Sequence, residues 1–355
     1  MSHGLPHRVR IGIAAGLALA FSVLAAWPAQ ADQARQDEWW LRALHVTNAW
    51  EITRGSGVTI AVLDTGVDQA QPDLTGSVTT GPDYTNSGRT AGGPFWGIHG
   101  TEVASLIAGH GHGAGQADGI LGVAPSAKIL SVRVTLDSGD PKLGDPAIAG
   151  ALPGGIARGI RWAVQHGATV IDLPLDPVTT AGAAGSGGSG AEQAAVRYAL
   201  SKHVVLIAPA GDEVAGTNAV NYPAAYHGVI AVGAFDQHFA KAPFTSHQPY
   251  VTVTAAGVGV TAANPSSLAA ADPSQAYAQL NSTSAAGAIV AGIAALIRAQ
   301  FPGLTPAQVT RALTTSTVYR PHRARNDGSG SGTVDAERAL TAAAGIAEAV
   351  SSTAA

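Results

Sequence analysis

The sequence predicts a single α/β domain: a doubly wound, mostly parallel sheet flanked by helices. Three observations predict it. Strand-like and helix-like segments alternate along the 355 residues without a break in composition. The strand candidates are continuous apolar runs, as strands covered on both faces require. Hydrophobic residues make up 46% of the chain and charged residues 12%, which suits a large core and not a disordered chain.

The formal net charge is −4 and no long basic run exists, so nothing supports nucleic acid or an anionic membrane as a partner. The absence of cysteine excludes disulfides, thiolate metal sites and a cysteine nucleophile. At the N-terminus, His7, Arg8 and Arg10 precede an apolar run over residues 11–26, then Ala29-Gln30-Ala31. That is the pattern of a signal peptide over residues 1–31, with cleavage after Ala31 and an exported mature chain. Were the run retained, the chain would be anchored at its N-terminus.

Residues 32–57 read as an N-terminal arm whose Trp39, Trp40 and Trp50 pack onto the body. Residues 58–63 form a β-branched strand that ends at Asp64, where open α/β sheets place their sites. Residues 76–97 read as loop. Val103, Leu106 and Ile107 make one helical face, with Gly109 as stop, so His99 heads a buried helix. His110-Gly111-His112-Gly113 reads as a flexible loop and not as a metal site, because no carboxylate or Cys stands at ligand spacing. Strands follow at 128–134, 169–173, 203–208, 229–232 and 251–253, with helices at 151–166 and 191–201. Residues 179–190 are a Gly/Ala/Ser loop. Residues 305–314 form a helix with Pro306 in its first turn, and a last helix begins near Asp335.

Ser284 stands where a tight run of small residues becomes a helix. Ile289, Val290, Ile293, Leu296 and Ile297 recur at three- and four-residue steps, and alanines and Gly292 fill the gaps. A helix apolar nearly all round is buried. By itself Ser284 would be a helix cap. Yet an acid after a strand, a histidine heading a helix and a serine heading a buried helix are together the inventory of a hydroxyl nucleophile activated by an acid-oriented base.

The residues around these three points resemble the signature blocks of the subtilisin-like serine proteases. The blocks are Asp64-Thr65-Gly66-Val67, His99-Gly100-Thr101 with Val103-Ala104, and Thr283-Ser284 with Val290-Ala291-Gly292. Gly122-Val123-Ala124-Pro125 and Tyr222-Pro223-Ala224-Ala225 resemble two further blocks. The Trp-rich arm and the ending Gly332-Thr333-Val334-Asp335 resemble the mycosin-like branch associated with type VII secretion, although this chain lacks that branch's cysteines and C-terminal membrane helix.

The resemblance implies a secreted endopeptidase acting through an acyl-enzyme, with Asp64, His99 and Ser284 as catalytic residues. It implies a peptidase domain over 58–340 and a helical tail over 341–355. Peptide or protein is the implied substrate, and the branch allows association with a secretion system. No cofactor and no metal are expected, and no membrane span in the mature chain. The segment before the first strand is too short for a folded inhibitory propeptide. Asp212 falls at the family's oxyanion-hole Asn. Pro174, Leu175, Ala210 and Gly211 fall at its substrate-binding walls, with Pro174-Leu175-Asp176 in place of Ser-Leu-Gly. Ser282-Thr283-Ser284 stands for Gly-Thr-Ser, and Ala285, Ala288 and Ile289 stand for Met, Pro and His. These departures leave a second reading open, a silent subtilisin-fold protein that binds peptide or serves as a secretion-associated scaffold.

Overall fold

The computed structural model describes Met1 and residues 33–175, 188–213, 218–322 and 325–354. The expected signal peptide, the loop at 179–187 and Asp176 lie outside the described residues. Seven strands form one sheet: β1 (Thr59–Asp64), β2 (Val78–Asp83), β3 (Lys128–Arg133), β4 (Val170–Asp172), β5 (Val205–Pro209), β6 (Ile230–Phe235) and β7 (Val251–Ala256). Their order is β2-β3-β1-β4-β5-β6-β7, and every neighbouring pair is parallel. Ala61 of β1 pairs with Leu130 on one side and Ile171 on the other, which fixes the centre of the sheet.

The main helices are α1 (Ile98–Ala108), α2 (Pro146–Gln165), α3 (Gly190–Ser201), α4 (Thr283–Gln300), α5 (Pro306–Thr315) and α6 (Ala336–Ala354). One sheet face carries Ile60, Val62, Val205, Ile207 and Val232 and packs on α1 and α4. The other carries Ala61, Leu63, Ile171 and Leu206 and packs on α2 and α3. The period-2 alternation of strand side chains thus feeds two cores from the same residues. As its sequence demands, α4 is buried along nearly its whole length. The helix expected at 151–166 begins earlier, because Asp145 caps it and Pro146 takes its first position. In α5, Thr305 and Gln308 form a capping box ahead of Pro306.

Two expectations fail. The loop at 76–97 contains β2, an edge strand, half-exposed and polar, with Gly81 and Pro82. Its sequence carries no apolar run because an edge strand has only one partner. Gly81 is required there: a Cβ would lie 2.6 Å from Ser131 O and 2.7 Å from the Trp162 ring. The supposed loop after α1 is a small antiparallel hairpin, His110–His112 with Asp118–Leu121. A second hairpin, Val258–Ala263 with Tyr277–Asn281, leads into α4.

The tryptophans tie the arm down. Trp40 is fully buried, Trp39 Nε1 donates to Gly259 O at 3.2 Å, and Trp50 Nε1 donates to Val123 O at 2.8 Å.

Candidate active site

The site lies at the carboxyl edge of the sheet, where the chain's direction of winding reverses around β1. Asp64, the last residue of β1, is 1% exposed. Its Oδ1 accepts the Thr65 N–H at 2.7 Å, and its Oδ2 stands 2.8 Å from His99 Nδ1. His99 is the second residue of α1, a helix with no side-chain cap of its own. Asp137, from the segment after β3, accepts the His99 N–H at 3.0 Å and supplies the missing acceptor. Next in line is Gly100, where a Cβ would lie 1.9 Å from Gly66 O. Only glycine allows α1 to approach the turn after Asp64 this closely.

These neighbours set the proton affinity of the site. Burial pulls the His99 imidazole down, but Asp64, Glu102 and Asp137 outweigh it and push it up to about 10. Glu102, one helical turn after His99, is pushed up to about 7, mainly by burial, with His99 pulling down and Asp64 and Asp137 pushing up. Asp137 is raised by burial against the pull of the His99 N–H.

Ser284 is the second residue of α4 and 3% exposed. The helix cap is a different residue: Ser282 Oγ accepts the Ala285 N–H at 3.1 Å. The Thr283 N–H is taken by Asp212 Oδ1 at 2.8 Å. Among the described residues, nothing accepts the Ser284 N–H and nothing bonds its hydroxyl. The first turn of α4 therefore spends its neighbouring donors and leaves both groups of Ser284 free, at the end of the helix that favours negative charge. α1 packs along α4, so the helices that carry His99 and Ser284 are neighbours.

Asp212 follows the end of β5. Burial raises its carboxyl, opposed by the Thr283 hydrogen bond and by the charge of His99. Pro174 and Leu175 are buried, and Leu175 N–H turns back to Leu173 O at 2.7 Å. Ala210 is buried; its N–H bonds Val232 O at 2.8 Å and its carbonyl accepts the Tyr250 hydroxyl at 3.2 Å. Gly211 holds φ +110°, and its carbonyl accepts the Ser246 N–H at 3.0 Å. The two histidines after α1 are engaged elsewhere. His112 Nδ1 pairs with Asp73 at 2.6 Å, and His110 Nε2 lies 3.0 Å from Thr75 O. No group of three or more metal-ligating side chains occurs among the described residues.

This architecture is that of known proteases. A model of the subtilase family, peptidase S8, matches residues 55–336. The chain is a subtilase. It is 37% identical over 258 residues to thermitase of Thermoactinomyces vulgaris, covering 72% of this chain and 80% of thermitase. Its fold superposes on MycP1 from Mycobacterium smegmatis with TM-score 0.66 and 26% identity, covering 85% of this chain and 84% of that one. MycP3 from the ESX-3 type VII secretion system gives TM-score 0.64 and 30% identity, covering 85% and 87%. The mycosin neighbours agree with the branch resemblance in the sequence.

Sequence reasoning missed four groups in this part of the subtilase. Asp137 and Glu102 face His99. Asp172 ends β4 as Asp64 ends β1, fully buried, and neither carboxylate oxygen has a hydrogen bond among the described residues. An acid closing an apolar strand was the signal available for it. Asn221 bonds across the ends of two strands and had no signal in sequence.

Proposed function

We propose that this subtilase is an exported serine endopeptidase, with Ser284 as nucleophile, His99 as general base and Asp64 as the group that orients it. The observation that carries the reading is the pairing of His99 Nδ1 with Asp64 at 2.8 Å while the first turn of α4 leaves Ser284 uncapped. Asp64 fixes the tautomer, so Nε2 faces the cleft as acceptor. Ser284 Oγ attacks the peptide carbonyl and its proton passes to His99 Nε2. The oxyanion is held by the Ser284 N–H and by Asp212 in its protonated form. His99 then gives its proton to the leaving amine, and water resolves the acyl-enzyme by the same route. Catalytic hydrogen bonds often tighten only when substrate arrives, so a free Ser284 hydroxyl suits the resting site.

Cleavage of the leader after Ala31 would release the mature chain from the membrane. Similarity to MycP1 and MycP3 supports association with a type VII secretion system. The test of the catalytic reading is labelling of the mature protein by a fluorophosphonate probe together with hydrolysis of a peptide library. Labelling and turnover, both lost in Ser284→Ala, are expected. A folded protein that binds peptide and neither labels nor hydrolyses would be the silent-cleft alternative.

A further inference from the structure

Arg133 ends β3 beside the residue that ends β1. It pairs with Asp64 on one side and with Asp83 on the other. It is 1% exposed, and none of its guanidinium nitrogens has a hydrogen bond among the described residues. The carboxylates around it stand off, Asp140 at 3.8 Å and Asp83 at 4.0 Å. What the guanidinium covers is a ring: its Cζ lies 4.8 Å from the centre of Trp96. An arginine buried for its hydrogen bonds would have them. This one is placed as a planar cation over an aromatic face.

Trp96 links that cation to the reacting groups. A Cβ on Gly66, in the turn after Asp64, would lie 2.8 Å from Trp96 Nε1 and Cε2. Gly97, the residue before α1, holds φ +74°, and a Cβ there would lie 2.8 Å from Gly66 C and O. His99 comes two residues later. The ring thus meets both the guanidinium and the turn after Asp64, at the point where the chain enters α1.

The entry is also strained. Phe95 holds φ +60°, a left-handed backbone that a bulky residue keeps only where its surroundings impose it. Arg89 Cζ lies 4.8 Å from the centre of the Phe95 ring, and Arg89 Nε donates to Asp140 Oδ2 at 3.0 Å. Asp140 is the same carboxylate that faces Arg133. Two adjacent rings are covered by two guanidiniums that converge on one acid.

We infer that Arg133 is a positioning residue: stacked on Trp96, it fixes the entry of α1 against the turn after Asp64 and so sets how the His99 ring meets its acid. The inference rests on His99 as the general base. Asp64 and His99 stand 35 positions apart in the chain, and their 2.8 Å hydrogen bond depends on how the two segments are pressed together. The Arg133 backbone is fixed by ladders on both sides, and its side chain carries that rigidity to the ring. Misplacing a catalytic group by about 1 Å costs about 10²-fold in rate.

Arg133→Lys keeps the positive charge among Asp83, Asp137 and Asp140 and gives up the planar face. On one peptide substrate it should lower kcat about tenfold or more. KM should stay within about twofold, because ground-state binding of substrate is untouched. Trp96→Leu should act alike, and the double variant should be no worse than the weaker single one, since one residue acts through the other. A readout that needs no turnover is the proton on His99 Nδ1, followed by NMR at fixed pH in the Ser284→Ala protein. In Arg133→Lys its resonance should move and its exchange with water should quicken, with thermal melts showing a folded protein. If Arg133→Lys does not fold, Trp96→Leu read in the same way carries the test. A folded variant with an unchanged resonance would overturn the inference. So would a raised KM at unchanged kcat, or losses that multiply in the double variant. A wild-type chain that neither labels with a fluorophosphonate nor hydrolyses peptide would lose the catalytic reading, and the resonance would still decide whether Arg133 positions His99.

Discussion

Asp212 Oδ1 accepts the N–H of Thr283, the residue immediately before Ser284, at 2.8 Å. One carboxyl oxygen is thereby held at the start of the helix. Protonated, the second oxygen can donate to an oxyanion; ionised, it repels one. Burial favours the protonated form. In Asp212→Asn the same Thr283 N–H would hold the amide oxygen and leave the NH₂ as a permanent donor. The variant should raise kcat by up to about 10²–10³, the worth of one such donor, and extend activity on the alkaline side. Measuring kcat against pH for both forms on one peptide checks this. An active enzyme indifferent to the change would place Asp212 outside the oxyanion site.

Ser284→Ala and His99→Ala should each remove nearly all hydrolysis, and the double variant should be little worse, because the groups act as one unit. Stability should separate Ser284 from its neighbour. The cap is Ser282, so Ser282→Ala should cost about 1 kcal/mol of unfolding free energy, while Ser284→Ala loses no cap bond. Urea titrations of the two variants give the comparison. A larger loss in Ser284→Ala would mean that its hydroxyl has a structural partner in solution.

The parts of the fold legible in sequence were those with strong apolar periodicity. The strand at 58–63 and the helix after Ser284 follow from burial alone, whereas the candidate site at their ends needed the acid, the histidine and the serine read together. The edge strand Val78–Asp83 was invisible because half its surface meets water. In the site, Asp64, His99 and Ser284 were readable because each ends or begins a regular element. Asp137 and Asn221 were not, since each acts from a loop on a backbone group distant in sequence, and only the folded chain brings them together. That Ser282 and not Ser284 caps α4 depended on two residues of helix register, finer than a pattern argument reaches.

The pH dependence of kcat/KM should carry the mark of the acidic cleft. His99 works as a base only when neutral, and its neighbours push it up to about 10. The acid limb should therefore lie on the alkaline side of an ordinary histidine. Glu102, pushed up to about 7, gains charge across neutrality and strengthens that effect. Glu102→Gln should move the limb to lower pH by a few tenths of a unit up to about one. The same limb in both forms would show that Glu102 does not act on the imidazole.

Asp172 predicts an alkaline weakness of the fold. Burial, reinforced by the negative charge of Asp64 and offset in part by His99, raises its carboxyl well above the ordinary value of 3.8. Neither oxygen has a hydrogen bond among the described residues, and a Cβ on Gly287 of α4 would lie 3.8 Å from Oδ1. The folded protein therefore keeps a proton that the unfolded chain releases once pH passes the ordinary carboxyl range. Between the unfolded and folded values the native state binds more protons, so stability falls as pH rises, by at most about 1.4 kcal/mol per pH unit from this group. Below the unfolded value the contribution disappears. Asp172→Asn has nearly the same shape and no proton to lose. Urea unfolding at pH 5 and pH 8 should show the wild-type chain losing more stability across the interval than Asp172→Asn, with every other titrating group common to both. Parallel losses would mean that Asp172 is ionised in the folded protein and paired through ordered water, and the buried-acid account would fall.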